Sequence, residues 1–265
     1  MSDGNGGGRR LDGKIAIVTG GGTGIGRATA TMLAAEGATV IVVGRRRGPL
    51  DEVVSEIGRA RGTAFARVSD LEKNEESRAL VAWTLATFGR VDLLVNNAGH
   101  SSRARNIRWI TEEEWRSVLA VNLDAVYVLT QAVLPGMLER KEGTIITVAS
   151  LAADRPGLVG GAPYGAAKAA VRNLMGHVHN VYRNHGIRAT TVVPAEVDTP
   201  ILDNRPMPPS AQARATLMQS EDVAAAILLC ATLPHRTVVE EIVMSPTHDR
   251  ERAAELAVAF REGER

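Results

Sequence analysis

A single cysteine in 265 residues gives this chain no internal disulfide, and no Cys/His cluster has zinc-site spacing. That residue, Cys230, lies in the apolar run "AILLCATL" and reads as a small core side chain. His177 and His179 are two apart on an expected helix, so they point to different faces and make no metal pair. Aromatic residues make up 3%, too few for the stacking platforms that hold single-stranded nucleic acid. One-sided charge is also missing. Lys and Arg total 31 against 30 Asp and Glu, a formal net charge of +1. No basic field therefore draws the chain to nucleic acid or to an anionic membrane. Unbroken apolar runs stay far short of the ~20 residues of a membrane helix. The opening "MSDGNGGGRR" has no apolar h-region, so residues 1–10 read as a flexible tail and not a secretory signal. The expected location is cytoplasmic.

What the chain does have is alternation. Seven short β-rich apolar runs begin at Lys14, Thr39, Thr63, Val91, Gly143, Ile187 and Val239. Helical patterns such as "GRATATMLAAEG" and "TEEEWRSVLAVNLDAVYVLTQAVLPGMLER" separate them. The runs are continuous more than alternating, as strands buried on both faces are. Strand–helix alternation implies right-handed crossovers. The expected fold is α/β, a single doubly wound, Rossmann-like domain over residues 11–245, with a seven-stranded parallel sheet flanked by helices. No linker or fixed-period repeat divides it. A Pro-rich stretch, "PAEVDTPILDNRPMPPS", follows the sixth run and reads as a lid or binding segment. In the extension 246–265, Ala253, Leu256, Ala257 and Phe260 fit one helical face, which either docks on a neighbour or frays.

The first run leads into "TGGGTGIG" and then a helix. Glycines at such a turn let the backbone approach a pyrophosphate, and the helix N-terminus offers free N–H groups and a positive dipole end. Gly20, Gly22, Gly24 and Gly26 sit there, spaced T-G-x-x-x-G-x-G and not G-x-G-x-x-G. Thr23 and Ile25 lie between them. The second run ends at Gly44, where dinucleotide sheets carry an acidic residue for the ribose hydroxyls; Arg45, Arg46 and Arg47 follow. With no carboxylate to repel a 2′-phosphate, and guanidinium groups suited to bind one, the expected cofactor is NADP(H), with NAD(H) as the alternative. Asp70, at the end of the third run, either meets the adenine edge or caps the helix beginning near Glu72.

In order along the chain, "TGGGTGIG", "NNAG" (Asn96 to Gly99), Asn122 in "VNLDAVY", "GTIITVAS" ending at Ser150, Tyr164-x-x-x-Lys168 and "PAEVDTP" resemble the short-chain dehydrogenase/reductase family. The resemblance spans about residues 11 to 245. It implies an oxidoreductase that moves hydride between NADP(H) and a carbonyl or alcohol (CH–OH) substrate. It implies Asn122, Ser150, Tyr164 and Lys168 as the catalytic set, with Asn122 holding a water that links Lys168 to solvent. On the cofactor side it implies Gly20, Thr23, Gly24, Ile25, Gly26, Arg45, Arg46, Asp70, Asn97, Gly99, Lys168, Val197 and Thr199. It also implies a homodimer or homotetramer paired through helices at 111–140 and 163–185. The residue types suit the chemistry. Tyr164 and Lys168, four apart, share a helical face. A phenol titrates near 10, and a nearby ammonium is expected to bring it down. Ser150 can hydrogen-bond a carbonyl oxygen as charge develops.

Four departures limit what carries over. The Ser150–Tyr164 segment is one residue longer than the family's, with Gly160 and Gly161 able to absorb it. Pro194-Ala195 stands where the family has Pro-Gly, strained if that position needs a positive φ. Thr23 replaces a basic residue common in NADP-dependent members. The segment from Ile201 to Gln219 is short and Pro-rich. The substrate pocket is expected between His100–Arg105, residues 151–163 and the Pro-rich loop, with Leu151, Leu158, Val159 and Ile201 as apolar lining and His100 or Arg103 as polar anchors. Two other readings stay open: an NAD-dependent alcohol dehydrogenase of the same family, and a non-catalytic NADP(H)-sensing protein.

Overall fold

The computed structural model describes residues 8–263. All seven apolar runs form strands: β1 (Ile15–Thr19), β2 (Thr39–Gly44), β3 (Thr63–Val68), β4 (Leu93–Asn96), β5 (Gly143–Val148), β6 (Ile187–Pro194) and β7 (Glu241–Met244). They make one sheet in the order β3-β2-β1-β4-β5-β6-β7, and every neighbouring pair is parallel. The helices are α1 (Gly24–Ala35), α2 (Arg47–Arg59), α3 (Asn74–Phe88), α4 (Glu112–Leu119), α5 (Ala125–Arg140), α6 (Ala162–Tyr182), α7 (Ala211–Arg214), α8 (Ser220–Thr232) and α9 (Ala253–Arg261).

The continuous apolar runs now have their reason. Alternate residues of each inner strand serve two separate cores. Ala16 and Val18 of β1 pack with Leu33 of α1, Val53 of α2 and Ile227 of α8. Ile15 and Ile17 pack on the other face with Leu80 of α3, Leu129 of α5 and Met175 of α6. Cys230 is buried in the first core. His177 is exposed while its near neighbour His179 is buried, on different faces of α6.

From Glu112 to Arg140 the chain is one helical rod of 29 residues. It starts on a capping box, in which the Thr111 hydroxyl accepts from the Glu114 amide at 3.1 Å. A π-helical turn, Ala120–Asp124, joins α4 to α5. One 18-residue window of this rod has a mean hydropathy of 1.6, long and apolar enough to cross a membrane. This corrects the expectation drawn from unbroken apolar runs, because polar residues interrupt the sequence without lowering the average. Half of that window is buried, with α5 packed on α3 and α4 on α6.

The tail expected over residues 1–10 falls mostly outside the described residues. Within them, the Arg10 guanidinium donates to Glu36 at 2.6 Å. The C-terminal extension docks, but not through the face expected: Ala253, Leu256, Ala257 and Phe260 are all exposed, and α9 is held instead by the buried Ala259 and by ion pairs that its apolar pattern does not show. Arg250 is 7% exposed and holds both Glu196 (2.7 Å) and Glu255. Arg205 holds the same two carboxylates, at 2.6 and 3.4 Å, and Arg252 adds a contact to Glu196 at 2.8 Å. The ring ties α9 to the loop after β6.

Burial alone would raise the Glu196 carboxyl, but the guanidiniums of Arg250, Arg252 and Arg205 hold it down at about 2. A carboxyl depressed on folding contributes stability that is complete above its ordinary value of 4.5 and lost as pH falls toward 2. Glu196→Gln removes one of the two carboxylates that Arg205 and Arg250 share and leaves Glu255 alone with both, at a cost of about 3 kcal/mol. Amide exchange across residues 250–261 should then rise on the order of a hundredfold at pH 7. Wild-type protection should decline between pH 4.5 and 2, with the variant showing no such step. Equal protection in both proteins at neutral pH would separate the ring from docking.

Candidate active site

The chain order places a crevice before any side chain is considered. After β1 the chain turns outward toward β2, and after β4 it turns the other way toward β5. The two strands are neighbours, so the loops beyond their carboxyl ends diverge. A cleft of about 920 Å³ opens there.

One end of the cleft is backbone. Gly20 takes φ 63, and a Cβ on it would lie 2.9 Å from the Ala98 Cα. Thr23 is the N-cap of α1 and makes no side-chain capping bond. Gly22, Gly24 and Ile25 complete the wall with Thr23. Gly26 is not on the wall. A Cβ there would meet the Gly20 carbonyl oxygen at 2.2 Å, so this glycine lets α1 pack against the turn. Asn97 lines the cleft and also clasps it, donating through Nδ2 to the Thr19 carbonyl at 2.9 Å. The Thr19 hydroxyl accepts from the Asn97 and Ala98 amides at 2.9 and 3.0 Å.

Beyond the end of β2, Arg45 and Arg46 line the cleft. Arg45 reaches Glu72 at 3.5 Å, and Arg46 makes no ion pair among the described residues. Asp70 stands apart from the cleft wall. Its carboxylate accepts from the Glu72 amide at 3.3 Å and faces Lys73 at 3.6 Å, a local turn; α3 begins only at Asn74, with Lys73 as its N-cap and no side-chain capping bond, so Asp70 does not cap that helix as one alternative expected. Val197 and Thr199 line the opposite side, with the Thr199 methyl over Gly24.

At the other end, β5 delivers Ser150 and the start of α6 delivers Tyr164, both on the wall. Ser150 accepts from the Ala152 amide at 3.2 Å, and its hydroxyl acts on the Tyr164 phenol. The longer connection closes on glycine. The Gly161 amide donates to the Gly157 carbonyl at 3.0 Å, and Gly161 takes φ 81 as α6 begins. Ala195 does not have a positive φ, so the strain expected of a Cβ at this position is absent.

Lys168 and Asn122 stand behind this wall, not on it. The Lys168 Nζ donates to the Val148 carbonyl at 2.8 Å and lies 5.5 Å from the Tyr164 ring centre. Asn122 sits in the π-helical turn, a local widening that recurs at functional sites. Its Nδ2 donates to the His100 and Val118 carbonyls at 2.8 and 2.9 Å, while its Oδ1 is buried with no partner. A Cβ at Gly99 would sit 2.5 Å from that oxygen and 3.5 Å from Lys168 Nζ, so glycine keeps both groups within reach of one point.

The electrostatics differ from the expectation. Burial pushes the Tyr164 phenol up, and Ser150, Arg105 and Arg205 oppose that. The ammonium donates to the Val148 carbonyl and lies over the ring, 5.5 Å from its centre. Burial in turn pushes Lys168 down to about 8.

The far end of the cleft draws on the three segments expected to frame it and also on the C-terminal extension, which the sequence did not place there. Arg105, Arg155, Arg205, Arg252 and Leu256 join Leu151, Val159 and Ile201 on the wall. Leu158 lines a small side pocket below. Arg103, one of the two expected anchors, points to the C-terminus and holds Glu262 at 3.0 Å. His100 is on the wall, 3.0 Å from the Ser117 hydroxyl, and burial lowers its proton affinity. Nothing in composition or periodicity marks Arg105; only its place within the loop after β4 does.

A family model described as short chain dehydrogenase matches residues 14–208. The chain is 32% identical over 236 residues to an uncharacterized oxidoreductase of Staphylococcus aureus, covering 89% of this chain and 98% of that one. It is likewise 32% identical to the 3-oxoacyl-[acyl-carrier-protein] reductase FabG of Thermotoga maritima, over 88% and 96% of the two chains. Among solved structures it resembles a metagenomic short-chain oxidoreductase in complex with NADP, with a TM-score of 0.79, 32% identity, and 91% and 100% of the chains covered. It also resembles serine dehydrogenase complexed with NADP+, with a TM-score of 0.81, 28% identity, and 89% and 96% covered.

The depressed Lys168 can be tested through stability. Between pH 8 and its ordinary 10.5, the unfolded chain holds a proton here that the folded chain does not. Folding therefore strengthens with pH across that window. Lys168→Met removes this dependence. In urea unfolding from pH 7 to 10.5, wild type should gain about 3 kcal/mol relative to the variant. A constant difference would mean that the buried ammonium keeps its ordinary proton affinity.

Proposed function

The chain belongs to the short-chain dehydrogenase family, and on that premise we propose that it transfers hydride between NADP(H) and a carbonyl or alcohol substrate, with Asn122, Ser150, Tyr164 and Lys168 as its catalytic set. The observation that carries this reading is convergence. One cleft runs from the Gly20–Gly24 turn and Arg45–Arg46 to Ser150 and Tyr164.

The residues fit a nicotinamide dinucleotide. The turn between β1 and α1 has no room for a Cβ at Gly20. Because Thr23 caps nothing with its side chain, the first amides of α1 keep donors for a pyrophosphate at the positive end of the helix. Arg46, free of any ion pair among the described residues, and Arg45, loosely held by Glu72, suit a ribose 2′-phosphate. No acidic side chain stands at Gly44, which supports NADP(H) over NAD(H). Bound there, the cofactor would supply or accept the hydride.

The chain's own residues manage position and protons. Ser150 and Tyr164 offer hydroxyl donors to one substrate oxygen, where negative charge builds as a carbonyl is reduced. With its proton affinity raised by burial, Tyr164 holds a proton to give to that oxygen. Lys168, poised at about 8 behind the ring, can replace the proton near neutral pH. The unpartnered Asn122 Oδ1 supports a water-linked path from Lys168 outward. The exposed Trp115, Tyr127 and Val181 on α4, α5 and α6 support pairing of copies through these helices.

Tyr164→Phe should lower turnover by about 10²–10⁴-fold while NADPH affinity holds; a variant as active as wild type would remove Tyr164 from the chemistry. Replacing Arg45 and Arg46 together by Asp should weaken NADPH binding at least about tenfold, the value of one charge-assisted hydrogen bond, and leave NADH binding nearly unchanged. Nicotinamide fluorescence titration reads both. Equal loss for the two cofactors would refute the 2′-phosphate assignment.

A further inference from the structure

Three loops frame the mouth around Tyr164. They follow β4, β5 and β6, and Arg105 is where they meet. Its Nη1 donates to the Gly160 carbonyl at 2.9 Å and its Nη2 to the Asn204 carbonyl at 3.3 Å. The side chain lines the cleft, yet Arg105 is 3% exposed. Its Nε is buried with no partner among the described residues.

No carboxylate pairs with Arg105 among the described residues, in contrast to Arg250, the other deeply buried arginine, which holds Glu196 and Glu255. Arg205, a charged neighbour on the same wall, is already paired with those same two carboxylates. Arg155, exposed on the same wall, makes no ion pair among the described residues. The substrate end therefore carries positive charge that no carboxylate pairs directly among the described residues, with Glu114 acting on Arg105 only from a distance. A buried cation without a counter-charge costs several kcal/mol. Two of the five guanidinium N–H donors are used, so three remain. A guanidinium in that state pairs readily with a planar or tetrahedral anion, and the fork confers orientation as well as affinity. Burial and the neighbouring Arg205 lower its proton affinity to about 10, which keeps it a cation at physiological pH.

We propose that Arg105 is a specificity-determining residue that anchors an anionic group, carboxylate or phosphate, on a substrate whose carbonyl is presented to Ser150 and Tyr164. The assignment rests on the hydride-transfer reading of this site and narrows its substrate class to anionic carbonyl or hydroxy compounds.

Matched probes separate charge from shape: levulinate against methyl levulinate, and dihydroxyacetone phosphate against dihydroxyacetone. Calorimetry on the protein saturated with NADP+ measures their binding without turnover. At least one anion should bind tenfold or more tightly than its neutral partner, and the pair that shows it tells carboxylate from phosphate. Arg105→Gln should bring the two members of that pair within twofold of each other with NADPH affinity unchanged, and Arg155→Gln should keep the preference. A role as a mere clasp of three loops would weaken anion and neutral partner alike. Equal binding of both members of each pair, no binding of any probe, or a preference that survives Arg105→Gln would overturn the proposal. Where Arg105→Gln does not fold, Arg105→Lys decides in its place. It keeps the charge but loses the fork, so a reduced preference supports the anchor and an undiminished one overturns it. An anion preference without NADPH consumption on any probe would overturn the hydride-transfer reading and leave the anchor. NADPH consumption equally fast with acid and ester would do the reverse.

Discussion

The divergence of the chain at β1 and β4 governs the molecule, because a parallel sheet can open a crevice only where neighbouring strands send their continuations in opposite directions. The crevice is held open by main chain. The Thr19 hydroxyl and the Asn97 amide fasten the two diverging loops to each other. Gly26 lets α1 close down onto the turn. The side chains of this clasp are thus structural first, and their neighbourhood is left clear for a ligand that needs backbone donors and no bulk. Three of the motifs that look chemical in the sequence, Gly26, Asn97 and Asp70, act here mainly on their own chain.

Burial does the electrostatic work at the other end of the cleft, and it acts on two groups in opposite senses. It raises the phenol of Tyr164, which favours the protonated donor, and lowers the ammonium of Lys168, which favours release. Proton movement from Lys168 toward Tyr164 is thereby made easier than in water, without the direct contact that four-residue spacing implies. The folded state bears the cost. A buried Lys, a buried Asn oxygen without a partner and a π-helical turn in a core helix are each unfavourable locally. They are tolerated because the two apolar cores on either side of the sheet are large and continuous. Such local costs concentrate where chemistry is done.

The sheet was legible because each inner strand is apolar on both faces, and the seven runs all became strands. Ser150, Tyr164 and Lys168 were legible as residue types at a known spacing, and the structure brings the first two to one wall. Orientation was not legible. Lys168 turns to the Val148 carbonyl and Arg103 to Glu262, choices set by partners 20 and 159 residues away. Ala195 looked strained because the expectation came from a glycine elsewhere, whereas here its φ is one that any residue adopts. Arg105 carries no periodic or compositional signal. Its meaning depends on which loops happen to surround it, and those loops are fixed only by the closed fold.

The substrate end shows why that distinction matters for charge. Near the C-terminal segment Glu196 and Glu255 pair with Arg205, Arg250 and Arg252 in a ring that also fastens α9, and Asp249 gives Arg252 a second partner. Such a ring spends its charge on architecture. It places Arg252 and Leu256 on the cleft wall as lining. Arg105, a few residues away in space yet on a different loop, is satisfied only by carbonyl dipoles. Dipoles solvate a guanidinium without cancelling its charge. Arg105 and Arg205 both ease the phenol's ionisation, and Arg105, which no carboxylate pairs among the described residues, is the one with donors to spare for an anion. An anion seated on Arg105 would weaken that easing, so substrate binding itself would keep the Tyr164 proton in place until charge develops on the oxygen beside it.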